Sequence, residues 1–250
     1  MATIAIGDVH GNSAALDDLL RQLKSEVRPG DVVVFLGDYI DRGPDTKECI
    51  DRILLLQHQM RGRVVCLCGN HDDWFLRTLH DSRQHTWLLA TDAFKTIRSY
   101  SVDAADVLRE AVSRAGAALY GDDCALPYEV FFDCVPSGHL QFFQSLRYYY
   151  QSPDCVCTHG GLDPGIASVH EQTKHALIWG AGGFPEAYDG AETVVYGHRN
   201  NAALDADGWP SPAIVGRTIG IDTISHGVLT AMRLPDGRVF QSGRCAAPKP

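Results

Sequence analysis

Five short apolar runs of strand character frame this chain: residues 3–7, 32–36, 63–68, 154–158 and 193–196. Each stops abruptly at polar residues. "GDVHG" follows the first, "GDYIDRG" the second, "GNHDD" the third, "HGGLDP" the fourth and "GHRN" the fifth. Helical patterns separate the first three runs. Leu16, Leu19, Leu20, Leu23 and Val27 share one face over 13–28, with Asn12 or Ser13 as cap, Asp17 and Asp18 suited to the first turn, and Pro29-Gly30 as stop. A second helix is expected over 46–60, after Pro44. Strand–loop–helix units of this kind build an α/β sheet, and binding sites form at the C-terminal edge of its strands.

The rhythm breaks over residues 73–150, which read as a helical insertion, although 116–137 carries no clear pattern. The chain then closes on a strand meander: 212–222, 227–234, a turn at "PDG" (235–237) and 238–242, with residues 246–250 frayed. The expectation is a single domain over 1–250 that contains the insertion. A content of 45% hydrophobic and 21% charged residues suits an ordinary globular protein. The formal net charge of -9 argues against nucleic acid or an anionic membrane as partner, since both require a basic surface. It leaves an anionic substrate open, because bound cations reverse the sign locally. No apolar run approaches the roughly 20 residues of a membrane span. The first strand starts close to Met1 with no basic leader, so a cytoplasmic location is expected. Cys66, Cys68, Cys155 and Cys157 lie in strand-like runs and read as buried reduced thiols, with a metal or redox role as the lesser alternative.

Taken singly, the strand-end residues have plain explanations. An Asp after Gly forms turns, a lone His is a surface residue, and Arg42 could be a solvated ion pair. Together they place Asp8, His10, Asp38, Asp41, Arg42, Asn70, His71, Asp72, His159 and His198 at one sheet edge. Imidazole nitrogens mixed with carboxylate oxygens suit Mn, Fe or Zn better than Mg or Ca. Two such ions, on the order of 3.5–4 Å apart, form a clamp for attack on phosphorus. One carboxylate would bridge them and a shared hydroxide would be the nucleophile, with Asp8 and His10 half of the first pocket.

The same motifs, "GDVHG", "GDYIDRG", "GNHD", "HGG" and "GH" in that order over residues 7–198, with "GIDT" at 220–223, resemble the phosphoprotein phosphatase family of calcineurin-like metallophosphoesterases. The resemblance implies an αββα fold, two mixed β-sheets packed face to face with helices outside. It implies that Asp8, His10 and Asp38 hold one divalent metal ion, Mn²⁺ or else Fe or Zn. Asp38 would bridge to a second held by Asn70, His159 and His198. His71 would be the general acid, oriented by Asp41, with Asp72 as support behind it. Arg42, with Asn70, would bind the phosphoryl oxygens.

Where many relatives carry a second phosphate-gripping arginine after a Trp, this chain reads "LIWGAGGF" (177–184), with Gly180 and Ala181 at that place. Arg199 and Arg217 are the available substitutes. His226, in "IDTISHG", stands where an aromatic is common and reads as a surface loop residue. The resemblance implies hydrolysis of phosphate monoesters, with phosphoserine or phosphothreonine in proteins first, because Asp41 is retained. Diadenosine tetraphosphate is the alternative. The aromatics Trp87, Tyr100, Tyr120, Tyr128, Tyr148, Tyr149 and Tyr150 read as core, with stacking on adenine as the second option. An inactive binding module on the same frame is the remaining class, and the intact donor set argues against it.

Overall fold

Alternation along the first strand decides both faces of the main sheet. In β1 (Thr3–Ile6), Ile4 and Ile6 face one layer and Ala5 the other, and all three are fully buried. A strand buried on both faces must lie in a layer covered from both sides. The computed structural model describes residues 1–60, 63–121 and 123–245, so the tail expected to fray, 246–250, lies outside the described residues.

Helix α1 (Ser13–Leu23) covers the first face of the sheet through Leu16, Leu19 and Leu23. It ends before residue 28, and Leu20 and Val27 pack only at the margin. Neither expected cap forms. The Asn12 side chain donates back to the Val9 and His10 carbonyls, and the Ser13 hydroxyl donates to Asp45. Strand β2 (Val32–Phe35), helix α2 (Thr46–Met60) and strand β3 (Val64–Cys66) repeat the unit, giving three parallel strands paired Thr3↔Val32 and Val33↔Val64.

Six helices follow: α3 (Asn70–His80), α4 (Thr86–Ala90), α5 (Ala93–Tyr100), α6 (Val102–Ala115), α7 (Glu129–Phe132) and α8 (Ser137–Gln144), with a 3₁₀ turn at Gly116–Tyr120. Their Phe75, Trp87, Ile97, Leu108, Phe131 and Phe143 extend the core that α1 and α2 begin. Tyr149 and Tyr150 belong to a strand, β4 (Tyr149–Gln151), and not to this helical run. Then come β5 (Val156–Thr158), α9 (Lys174–Trp179), β6 (Val194–Tyr196), β7 (Ala203–Leu204), β8 (Pro210–Ser211), β9 (Ala213–Val215), β10 (Thr218–Gly220), β11 (Thr230–Leu234) and β12 (Arg238–Gln241).

Two five-stranded mixed sheets result, ordered β12-β11-β1-β2-β3 and β4-β5-β6-β10-β9, with β7-β8 a separate ribbon. Ala5, Val34 and Leu36 of the first sheet meet Cys155, Cys157 and Val195 of the second in a shared apolar layer. Val156, Val194 and Tyr196 face outward onto Leu177 of α9 and Phe184. This is the expected sandwich flanked by helices.

The closing strands differ from the expected meander. β10 pairs in parallel with β6, and β11 pairs antiparallel with β1 in the other sheet. The chain crosses between sheets over residues 221–229, and only the β11–β12 hairpin around "PDG" forms as anticipated. Cys66, Cys68, Cys155 and Cys157 are buried free thiols. No helix among the described residues is long and apolar enough to cross a membrane.

Candidate metal centre and active site

The C-terminal ends of five strands, β1, β2, β3, β5 and β6, deliver the polar residues to one edge of the sandwich, where the two sheets meet. Asp8 and His10 follow β1, Asp38 follows β2, Asn70 and His71 open α3 after β3, and His159 and His198 follow β5 and β6. The turns that carry them are strained. His10, Asp38, Asp41, Arg42 and His198 are the non-glycine residues with positive φ among the described residues, at 43°, 51°, 66°, 57° and 61°. Such backbone costs on the order of 1–3 kcal/mol per residue and persists where the surroundings hold it. Two glycines make the close approaches possible. A Cβ at Gly69 would overlap Asp38 Oδ1, and one at Gly197 would overlap Asp8 Oδ1.

Asp38 sits at the centre. Its Oδ2 is 3.5 Å from His10 Nε2, 3.5 Å from His159 Nε2 and 3.9 Å from His71 Nε2. One carboxylate oxygen therefore faces two groups of donors, His10 with His71 and His159 with His198. Asp8 Oδ2 lies 4.0 Å from His10 Nε2, and its carboxylate accepts the His198 backbone N–H at 3.0 Å, tying the two sheets together. Asn70 Oδ1 lies 3.1 Å from His159 Nε2 and 2.9 Å from His198 Nδ1.

The second nitrogens set which atoms are free. His10 Nδ1 donates to the Ile40 carbonyl at 2.7 Å and His159 Nδ1 to the Leu36 carbonyl at 3.0 Å, which aims both Nε2 atoms inward. His10 Nε2 is buried with no partner. Lone pairs from imidazole, carboxylate and amide oxygen thus converge on the same small space. Acceptors facing acceptors are costly unless a cation or a proton lies between them. The residues present fit divalent cations, with Asp38 common to both groups of donors.

Without a cation, protons take that part. Burial acts to lower His159, yet Asp38 and Asp8 push it up to about 10. Burial, with the positive His159 beside it, pushes His198 down to about 4. Burial and Asp222 raise the Asp8 carboxyl well above the usual carboxylate range. Burial would raise Asp38 too, but His159, His71 and His10 hold it well below that range.

His71 stands apart from the other imidazoles. Its Nδ1 donates to Asp41 Oδ2 at 2.7 Å, so Nε2 faces the site. Burial alone would lower it, but Asp38 and Asp41 raise it above the ordinary value. Behind it, Asp72 accepts the N–H groups of Asp38, Tyr39 and Gly69 at 2.8, 3.2 and 2.9 Å. Burial and Asp38 push Asp72 up to about 7.

The two substitute arginines separate cleanly. Arg217 is exposed, and its carbonyl accepts Val194 N–H at the start of β6, the opposite end of the strands from the site. It is therefore excluded as a phosphate-binding residue. Arg199 directly follows His198, and its buried Nε has no partner. A Cβ at Gly180 would come 2.7 Å from Arg199 Nη2, so the glycine leaves room for the guanidinium. Arg42 is half-buried, and its side chain makes no hydrogen bond among the described residues.

Sequence reasoning missed three contributors. Asp222, just after β10, is buried with both carboxylate oxygens unpaired, and Arg42 acts on it electrostatically. The strand-end rule that found the other acids would have found it. Trp87 and Thr96 both reach Asp41 from the helical run, and no spacing pointed to them. Trp87 and Tyr128 are fully buried, which removes them as base-stacking residues. His226 closes a 3₁₀ turn, Ile224–His226, with its ring partly exposed.

The sequence profile of the calcineurin-like phosphoesterases matches residues 1–208. Over nearly its whole length the chain is similar to bis(5'-nucleosyl)-tetraphosphatase PrpE [asymmetrical] of Bacillus velezensis, with 26% identity covering 94% of this chain and 90% of that protein. It is 31% identical to a candidate serine/threonine-protein phosphatase of Caenorhabditis elegans over 100 residues, covering 36% of this chain and 21% of that protein. The fold is similar to the crystal structure of a candidate diadenosine tetraphosphatase, with a TM-score of 0.60 at 21% identity over 96% of this chain and 92% of the other.

Proposed function

The chain belongs to the calcineurin-like phosphoesterase family, and from that premise we propose that it is a two-metal phosphatase acting on phosphate monoesters, phosphoserine or phosphothreonine in proteins first. In this reading Asp8, His10 and Asp38 hold one divalent ion and Asp38, Asn70, His159 and His198 the other, with Mn²⁺ the expected metal. When bound, such ions activate water at neutral pH and offset the charge of the phosphoryl group.

The protein's own residues do the rest. Arg42, Asn70 and Arg199 bind phosphoryl oxygens. His71 holds a proton on Nε2 and passes it to the leaving oxygen as the P–O bond breaks. Asp41 keeps the ring in register through the Nδ1–H.

The single observation that supports a monoester is the 2.7 Å His71–Asp41 pair. A serine or threonine alkoxide is a poor leaving group and needs a proton at departure. A phosphoanhydride departs as a stable phosphate anion and needs it far less. The similarity to PrpE over nearly the whole chain favours a second reading, hydrolysis of a dinucleoside tetraphosphate.

Turnover with Mn²⁺ of a phosphoserine peptide, read as phosphate released, and of diadenosine tetraphosphate, read as the mononucleotides formed, with a chelator control, tests the choice. Faster turnover of the peptide supports the first reading. Preference for the dinucleotide by orders of magnitude overturns it.

A further inference from the structure

Asp41 is a fully buried carboxylate, and His71 is only one of the donors that face it. Trp87 Nε1, on α4, donates to Oδ1 and Oδ2 at 3.1 Å each. Thr96 Oγ1, on α5, donates to Oδ1 at 2.8 Å and accepts the Asp41 backbone N–H at 2.8 Å. Thr46 Oγ1, on α2, lies 3.3 Å from Thr96 Oγ1. Trp87, Thr96 and Thr46 are themselves inaccessible to solvent.

A carboxylate orients an imidazole only if it cannot turn. With His71 as sole donor, Asp41 could rotate its carboxylate plane and let the ring follow. Thr96 occupies Oδ1 and Trp87 spans both oxygens, which leaves Oδ2 directed at His71 Nδ1. Thr96 also grips the backbone of Asp41, a residue held at a φ of 66°. A side chain that secures both ends of a strained residue restricts its backbone and its carboxylate together.

We infer that Trp87 and Thr96 are positioning residues for proton delivery by His71, so that α4 and α5 belong to the acid machinery. The inference rests on the reading of His71 as the general acid. The proton moves from His71 Nε2 to the leaving oxygen as the P–O bond breaks, while the Nδ1–H stays on Asp41. Neither positioning residue exchanges a proton with the substrate.

A leaving group that needs no proton separates positioning from general damage. Thr96→Val, Thr96→Ser, Trp87→Phe and His71→Asn are compared with the unaltered protein, with Mn²⁺, on a phosphoserine peptide and on p-nitrophenyl phosphate. Metal content is measured on each protein. Thr96→Val is expected to lower kcat on the peptide by about 10–100-fold, the usual weight of an outer-shell partner. The loss on p-nitrophenyl phosphate is expected to be at least about tenfold smaller, and Thr96→Ser restores most of the peptide activity.

Equal losses on both substrates, or no loss on either, overturn the inference. If Thr96→Val does not fold, Trp87→Phe must show the same split, and parallel losses there overturn it as well. His71→Asn keeps the two levels apart. No split in that variant sinks the general-acid reading itself. A split there, with none in Thr96→Val or Trp87→Phe, sinks only the positioning inference.

Discussion

His71 and its neighbours differ in what holds their second nitrogen, and that difference divides their chemistry. His10 and His159 spend Nδ1 on backbone carbonyls, which cannot follow a change of charge on the ring. His71 spends Nδ1 on a carboxylate, which stabilises the ring when it is protonated. His71→Asn should therefore cut kcat on a phosphoserine peptide by about 10²–10⁴-fold, the ordinary weight of a general acid, with both metals still bound. Elemental analysis alongside kinetics checks this, and loss of metal in that variant would reassign His71 as a ligand. Arg199 offers a second residue-scale contrast. Its guanidinium fits against Gly180, whereas Arg217 sits at the far end of the strands. Arg199→Ala should raise KM by about 10–100-fold, the cost of a lost charged hydrogen bond. Arg217→Ala should stay within about twofold, as surface changes do. Equal effects of the two would remove Arg199 from the phosphate site.

Strand ends are the elements that build the site, and their glycines set how close they come. Gly69 caps α3 directly beneath Asp38, and its N–H donates to Asp72. Gly69→Ala would push a methyl group into Asp38 Oδ1. Metal content should fall below two ions per chain while the far-UV spectrum keeps its helical shape. Two ions retained would mean that Asp38 need not lie where it does. This edge was the most legible part of the sequence, because ligand-type residues after successive apolar runs are local facts. The first two strands were legible too, since 3–7 and 32–36 are continuous apolar runs, although only the structure shows that Ile4 and Ile6 face one core layer and Ala5 the other. Which sheet a late strand joins was not. Thr218–Gly220 and Thr230–Leu234 are both short apolar runs, and only their distant partners, β6 and β1, distinguish them. Trp87 and Thr96 stayed hidden for the same reason. Their hydrogen bonds span 46 and 55 residues, and each residue sits in a helix whose own pattern already explains its burial.

At the scale of the whole molecule, the candidate ligands come from both sheets. Asp8, His10, Asp38 and Asn70 follow strands of the first, and His159 and His198 follow strands of the second. An unfolded chain cannot bring them together, so cations that bind here bind the folded state and stabilise the sandwich as one unit. A cation at 100 times its Kd adds about 2.7 kcal/mol. For a chain of this size, that corresponds to a rise in Tm of about 5–10 °C. Calorimetry with Mn²⁺ and then with excess chelator should show the rise and its reversal. The same donors tie that gain to pH. His159, pushed up to about 10, carries a proton at neutral pH when no cation is present, whereas His198, pushed down to about 4, does not. A protonated imidazole cannot ligate, so the His159 proton must leave as the metal arrives. The sign follows directly: below about pH 10, raising the pH removes a competitor, and the Kd for Mn²⁺ should fall by about tenfold per pH unit for each proton displaced. Titration calorimetry between pH 6.5 and 8.5, in two buffers of different ionisation enthalpy, reads both the Kd and the protons released. A Kd flat across that range, with no proton released, would place His159 outside the metal centre and leave the second sheet with His198 alone to reach it.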